Sequence, residues 1–216
     1  MTARHHIDDS TLLRYASGDL DEAFAVVVAS HLALCPQCRR SLRIAEDIGG
    51  ELLKGEDPAP LADDAFERLM SGLERPGGDT RRRVEQSAPE TDVPLPLRRF
   101  VGDRLGDISW SRVAPGIRRH RIALGGASSL FLLHIAPGKA VPEHGHGGAE
   151  MTLILSGSYR DALGRFAPGD IADLDEHVEH QPRVDSTGPC ICLVATEMPT
   201  RFRGFFSRLL QPVVGI

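Results

Sequence analysis

Three things are scarce in this sequence: aromatic side chains, long apolar runs and excess positive charge. Aromatic residues make up only 5% of the 216 positions, so aliphatic side chains must supply the core. The net charge of −5 argues against general nucleic-acid binding, which needs a basic face. The longest apolar runs, near 24–29 and 130–133, are too short to span a membrane. The first nine residues lack the apolar core of a signal peptide, so we expect a soluble, cytoplasmic protein.

Cysteine is also rare, and its four copies form two close pairs, Cys35/Cys38 and Cys190/Cys192. In a cytosolic chain such spacing favours metal binding or redox chemistry over structural disulfides. Cys190 and Cys192 face the same side of a predicted strand but lie too far apart for an easy disulfide. We therefore expect them to fill the core, with redox sensing as the alternative.

The first third of the chain, residues 1–75, shows the apolar spacing of helices. The pattern predicts a small helical domain, with a first helix that ends at Gly18 and a second helix through His31. Asp19 and Glu22 are the expected capping box of that second helix. A third helix is predicted over about 38–53, and a fourth covers 66–73 after a cap at Asp63 or Asp64.

A metal-binding spacing, H-x3-C-x2-C, joins the second and third helices at His31, Cys35 and Cys38. Pro36 suits the first position of a helix, so Cys35 is expected at the junction. Two thiolates and one imidazole make up three of the four ligands of a tetrahedral zinc site. His5 and His6 are the only histidines upstream, and on spacing alone either one can be the fourth ligand.

The composition changes twice along the rest of the chain. Residues 76–96 are rich in proline, glycine and charge, which predicts a linker. From about residue 97 short apolar runs alternate with turn signals, beginning with a predicted strand over 108–113. Residues 97–216 are therefore predicted to form an all-β domain with a closed or double-sheet architecture. The expected fold class is a multidomain α + β protein.

The segment 138–157 carries three further candidate ligands, His144, His146 and Glu150. Because their spacing is even, an extended strand directs all three side chains to one face, and the intervening glycines allow the chain to bend. Imidazoles with a carboxylate suit a first-row divalent ion. The spacing therefore predicts a second metal site in the β half.

This segment resembles the first cupin motif, in which Gly138, His144, His146, Glu150 and Gly157 occupy every defined position. The second cupin motif resembles the segment from Pro168-Gly169-Asp170 to His180-Gln181-Pro182, although Asp175 and His177 stand where that motif has proline and glycine. The resemblance implies a jelly-roll fold. It favours His180 as the fourth ligand, with His177 as the rival.

The N-terminal half is similar to zinc-binding anti-sigma domains, in which an upstream histidine completes H-x3-C-x2-C; by that pattern the ligand is His6. Together with the cupin segment, the chain resembles ChrR-type anti-sigma factors over nearly its whole length. The resemblance implies Zn²⁺ at the first site and a divalent metal in the cupin, with zinc expected first and iron, manganese or nickel also accepted.

The same resemblance implies a non-enzymatic regulator that binds an extracytoplasmic-function-type sigma factor as a 1:1 heterodimer, without direct contact to nucleic acid or membrane. The N-terminal domain would inhibit the sigma factor. The cupin domain would be needed for its release under oxidative stress, from singlet oxygen or organic peroxide.

An enzyme is the alternative interpretation. A cupin site of three histidines and one glutamate keeps coordination positions open for dioxygenase or isomerase chemistry, with the zinc-binding helices as an accessory module. A third hypothesis, a metal-storage or docking protein, fits less well, because two different ligand sets indicate two distinct roles.

Overall fold

The computed structural model describes residues 3–74, 91–145 and 147–198, together with the backbone of Arg201–Phe202. Its helices are α1 (Asp9–Ala16), α2 (Glu22–Leu34), α3 (Pro36–Lys54), α4 (Ala65–Glu74) and α5 (Leu95–Val101), followed by a 3₁₀ turn at Leu105–Asp107. Within the described part of the chain, no helix is long and apolar enough to cross a bilayer.

The strands follow as β1 (Ser111–Ala114), β2 (Ile117–Ile122), β3 (Ser129–Ile135), β4 (His144–Gly145), β5 (Glu150–Ser156), β6 (Tyr159–Asp161), β7 (Gly164–Phe166), β8 (Ile171–Leu174), β9 (Glu179–His180), β10 (Arg183–Val184), β11 (Cys190–Thr196) and β12 (Arg201–Phe202). They form a six-stranded sheet in the order β1-β2-β3-β11-β5-β8 and two three-stranded sheets, β10-β6-β7 and β12-β4-β9. A helical N-terminal half and an all-β C-terminal half are thus confirmed.

The ends of the early helices follow from local chemistry. The side chain of Asp8 accepts a hydrogen bond from the Ser10 amide and caps α1, and Gly18 adopts a positive φ of 76° just beyond its end. The prediction that Asp19 caps α2 was wrong. Asp21 occupies that position, and its carboxylate accepts from the Ala23 amide at 3.0 Å.

The six-stranded sheet is buried on both faces, because its central strands carry apolar residues at successive positions. Leu132, Leu153 and Leu193 belong to one core cluster that also contains α2 residues. Phe131 and Ile154 belong to a second cluster between the sheets. Such near-continuous apolar strands are typical of a sheet covered on both sides. The N-terminal helices and the β half therefore share a core.

Helix α5 was not predicted and begins inside the segment read as a linker. Pro94 is its N-cap residue and Pro96 lies in its first turn, where a missing amide hydrogen does no harm. Leu97 is fully buried, in the cluster that also contains α2 residues. Val93, just before the helix, is buried too. The proposed division at 76–96 stays a prediction, but its C-terminal end is part of the folded core.

Candidate metal centres

The first centre brings His6, His31, Cys35 and Cys38 together, with all ligand atoms within 4.8 Å of one another. His31 lies in the last turn of α2, Cys35 ends α2 and caps α3, and Cys38 lies in the first turn of α3. His6 arrives from the non-helical segment before α1. The ends of two helices and the segment before α1 thus converge on one point.

The distances in this first centre fit a tetrahedral ion. The Nε2 atom of His31 lies 3.2 Å from the Cys38 sulfur, and the Nδ1 atom of His6 lies 3.4 Å from the Cys35 sulfur and 3.6 Å from the Cys38 sulfur. Nitrogen and sulfur ligands of one tetrahedral zinc ion lie about 3.6 Å apart, given the usual zinc–ligand bond lengths. The cluster is therefore close to the geometry that zinc requires.

Burial controls the charge state of these ligands. It lowers the pKa of His31 to about 4, so the imidazole is neutral and able to donate a lone pair. It also raises the pKa of the Cys38 thiol to about 11. A thiolate there needs a neighbouring cation, which a bound metal ion supplies.

The structure also separates the two upstream histidines. His6 lies in the cluster, whereas the His5 ring stacks on Phe166 of the β half, with ring centroids 4.1 Å apart.

The second centre contains His144, Glu150 and His180, all buried, with ligand atoms within 4.8 Å of one another. His144 on β4 is paired directly with His180 on β9, and Glu150 begins β5. His146, the remaining predicted ligand, lies outside the described residues. The rival His177 is exposed and lies 3.8 Å from the Glu176 carboxylate, so the structure brings His180 rather than His177 to the cluster.

Hydrogen bonds orient both rings of the second centre. The Nδ1 atom of His144 lies 2.7 Å from the Pro142 carbonyl, and that of His180 lies 2.9 Å from the Asp161 carboxylate. Because both partners accept, each Nδ1 carries the proton and each Nε2 of a neutral ring carries a lone pair. The two Nε2 atoms are 3.1 Å apart. Nitrogen ligands on one zinc-like ion lie about 3.0–3.4 Å apart, so a cation between them fits this geometry.

A small cavity of about 50 Å³ adjoins the second centre. Phe131, Leu133 and Val194 give it an apolar wall, and the three candidate ligands lie along its side. The buried Tyr159 hydroxyl also lines it and has no hydrogen-bond partner among the described residues. The site can therefore admit a small molecule beside a metal ion.

Sequence reasoning missed three residues that support the second centre. Asp161 orients His180, the Thr152 hydroxyl donates to Glu150 at 3.3 Å, and Tyr159 lines the cavity. The contact of Thr152 could have been predicted from the sequence, because Thr152 is two positions after Glu150 on one strand and faces the same side. No pattern in the sequence predicted the roles of Asp161 and Tyr159, since their contacts depend on how distant strands pack.

Cys190 and Cys192 are free and buried in the core between the sheets, as expected for core-filling residues. Burial raises the pKa of Cys190 to about 12 and that of Cys192 well above its usual value. Both thiols are therefore protonated and poorly nucleophilic at neutral pH, which argues against a thiolate-based redox sensor.

Comparison with known proteins shows the family to which the chain belongs. Residues 100–198 match the ChrR cupin-like domain. The chain is 40% identical over 98% of its length to the anti-sigma-E factor ChrR of Cereibacter sphaeroides, of which the match covers 98%.

Solved structures give the same result. A crystal structure of Rhodobacter sphaeroides SigE in complex with the anti-sigma ChrR matches 90% of this chain and 99% of that chain, with a TM-score of 0.78 and 39% identity. KdgF from Halomonas matches 46% of this chain and 92% of its own, but its TM-score of 0.39 at 17% identity is too low to support an argument. The family expected from the two ligand motifs is confirmed: the chain belongs to the ChrR family of anti-sigma factors.

Proposed function

We propose that this chain binds an extracytoplasmic-function-type sigma factor as a 1:1 heterodimer and holds it inactive. The observation that carries the proposal is the full-length match to ChrR, together with the fold match to a ChrR crystallised in complex with SigE. A match that extends through both halves favours a regulator over a dioxygenase or isomerase with an accessory zinc module. Because sigma factors act on RNA polymerase, the proposed location is the cytoplasm.

Two exposed apolar rows, one on α3 and one on α4, are suited to this partner and are together called the apolar surface. Ile44, Ile48 and Leu52 recur every fourth residue on α3 and are 63%, 53% and 71% exposed. The matching row on α4 is similarly exposed and consists of Phe66, Leu69, Met70 and Leu73. Soluble proteins rarely expose such continuous apolar rows unless a partner covers them. We assign this surface to the sigma factor.

The first centre supports the proposal structurally. We propose Zn²⁺ at His6, His31, Cys35 and Cys38, because two thiolates and two imidazoles suit a closed tetrahedral zinc site. The ion would connect α2, which packs on the sheet, to α3, which carries the apolar surface. It would thereby fix the angle at which that surface is presented.

The second centre is assigned to sensing. We propose a divalent ion at His144, His146, Glu150 and His180, with zinc as the first choice and iron, manganese or nickel as alternatives. The cavity beside it gives a small reactive species access to the ion. Singlet oxygen or an organic peroxide would act here and lead to release. Release then requires that the altered state bind the sigma factor less tightly than the resting state.

We further propose that residues 1–75 form the domain that inhibits the sigma factor and that residues 97–216 form the domain that senses the stress. Residues 76–96 would be the linker between them. The shared core of α2 and the six-stranded sheet supports a direct mechanical connection between the two functions.

Binding to the sigma factor is tested by charge substitution on the apolar surface. The full-length chain with Leu52→Glu and Phe66→Glu should bind an extracytoplasmic-function sigma factor from the same source at least about 100-fold more weakly, as measured by titration calorimetry. Leu163→Glu, an equally drastic change at an exposed leucine of the β half, should leave binding unchanged. Tight binding by the double variant would contradict this surface, and no binding by the unaltered chain would contradict the function.

Sensing is tested separately with a sigma-dependent reporter. His144→Ala should still inhibit the sigma factor but should no longer release it under singlet oxygen or organic peroxide. His177→Ala is the matched control, because His177 is exposed and outside the cluster. A normal stress response from His144→Ala would contradict the assignment of the second centre.

A further inference from the structure

We infer that the hairpin of β6 and β7 couples the two candidate metal centres, so that filling one changes the metal affinity of the other. The inference depends on the proposed metal sites but not on sigma-factor binding. It rests on a continuous series of contacts that begins at His180 in the second centre and ends at His6 in the first.

The series begins on β6. Asp161, at the end of this strand, accepts a hydrogen bond from Nδ1 of His180 at 2.9 Å, and neither side chain is exposed by more than 2%. A metal ion on Nε2 of His180 fixes the ring, and the ring in turn fixes the Asp161 carboxylate. Occupancy of the second centre is thereby transmitted to the backbone of β6.

The hairpin carries this constraint across to the N-terminal segment. Tyr159 on β6 is paired with Phe166 on β7, and their rings stack with centroids 5.0 Å apart. Phe166 also stacks on His5, with centroids 4.1 Å apart and an interplanar angle of 24°. The Nε2 atom of His5 also lies 3.2 Å from the carbonyl of Arg165, the preceding residue of β7. His5 therefore follows the position of the hairpin.

The backbone around His5 is held just as closely. The buried Asp170 carboxylate accepts hydrogen bonds from the amides of Arg4 and His5, the latter at 3.1 Å. It also accepts from the Ala167 amide, directly after β7, at 2.8 Å. Since His6 is the next residue after His5, any shift of this segment moves a proposed zinc ligand. Packed rings and buried charge-assisted bonds move as a unit rather than deforming gradually.

Coupling of this kind is reciprocal and typically changes affinity about 5- to 150-fold. The probe for it is Co²⁺ added to the metal-free full-length chain. Thiolate-to-cobalt absorption reports the first centre, because among the described residues it is the only one of the two centres with cysteine ligands. The measured quantity is the Co²⁺ affinity of the first centre in the unaltered chain divided by its affinity in the His144→Ala variant, whose second centre is impaired. We expect this ratio to differ from one by at least about 5-fold.

Substitutions in the hairpin contact identify the route by a double-mutant cycle. In a His5→Ala background the ratio should return to one, and His5→Phe, which keeps a stacking ring, should restore the difference. His120→Ala removes a histidine on β2, whose ring lies near the Ser109 carbonyl, and should leave the ratio unchanged. Phe166→Leu breaks the same stack from the β side and serves if His5→Ala weakens cobalt binding too far to measure.

Two results would overturn the inference. One is equal Co²⁺ affinity of the first centre in the unaltered chain and in His144→Ala. The other is a difference between them that persists in both the His5→Ala and the Phe166→Leu backgrounds. Because no sigma factor is present in the assay, either result leaves the proposed anti-sigma function standing. Loss of sigma binding in the calorimetric test would likewise leave the coupling between metal centres standing.

Discussion

Helices α2 and α3 meet at Cys35 but have opposite environments. Eight of the thirteen residues of α2 are buried, whereas Cys38 is the one buried residue among the nineteen of α3. The apolar residues of α2 lie around the whole helix and are covered by the six-stranded sheet, α3 and α5. On α3, Leu42 packs against the same core, whereas Ile44, Ile48 and Leu52 form a stripe that is exposed.

This difference distinguishes what stabilises the chain from what remains available to a partner. A helix that is apolar all round belongs in a core, and α2 joins the helical half to the β half. A helix with one apolar stripe needs only one partner surface, and α3 presents that stripe outward. The first candidate centre lies at the junction, so it connects α2, which packs on the sheet, to α3, which packs mainly on α1.

The largest effect is expected when the zinc ion proposed at the junction is lost. Cys35→Ser should release α3 while α2 stays packed on the sheet, because zinc binding in small domains contributes on the order of 10 kcal/mol. Hydrogen exchange should show amide protection lost along α3 and largely kept along α2. Chelation should reproduce this pattern in the unaltered chain, and added Zn²⁺ should reverse it there but not in Cys35→Ser. Equal loss in both helices would remove the contrast between them.

A charge introduced on each helix tests the contrast directly. Val27→Asp places a carboxylate in the fully buried face of α2 and should lower the free energy of unfolding by more than about 4 kcal/mol. The same change on the exposed stripe, Ile44→Asp, should alter it by less than about 0.5 kcal/mol. Urea denaturation followed by circular dichroism measures both values. A large loss in Ile44→Asp would mean that the α3 stripe is already covered within the chain.

The start of α2 gives a smaller effect. Asp21→Ala removes the side-chain cap of a helix within the core and should lower the free energy of unfolding by about 1 kcal/mol. Asp19→Ala is the control, because the exposed Asp19 carboxylate caps no helix and lies 3.5 Å from the Arg14 guanidinium in a surface ion pair. The same denaturation assay ranks the two variants, and a larger effect for Asp19 would reinstate the original capping prediction.

The smallest effect is expected at the free end of α3. Lys54 and Glu51 form an exposed ion pair of 2.6 Å, and Lys54→Ala should cost no more than about 0.5 kcal/mol. The difference should vanish in high salt, where exposed charges are screened. A salt-independent loss measured by denaturation would indicate that this end of α3 is packed rather than free.

Local patterns predicted the helices and strands well where a single element carries its own signal. The H-x3-C-x2-C spacing placed His31, Cys35 and Cys38 at a helix junction, and Pro36 marked where α3 begins. Helix α5 was missed because its two prolines resemble a linker until Leu97 is seen to be buried. The docking of α2 on the sheet was also not foreseen, although apolar residues at successive positions in β3, β5 and β11 are a signal of a sheet covered on both faces.

The sequence by itself determined the family, the two-part architecture and the ligand types, because these depend on residue identity and short-range spacing. The family resemblance favoured His6 over His5 and His180 over His177. The tertiary structure adds that His6 and His180 lie in the two clusters, whereas His5 and His177 lie outside them, because these positions depend on contacts with elements far away in the chain. It also revealed Asp161 beside His180 and the stack of His5 on Phe166. The physical reason is that periodicity gives the direction of a side chain from its own element, whereas the group that it meets is set by the packing of the whole fold.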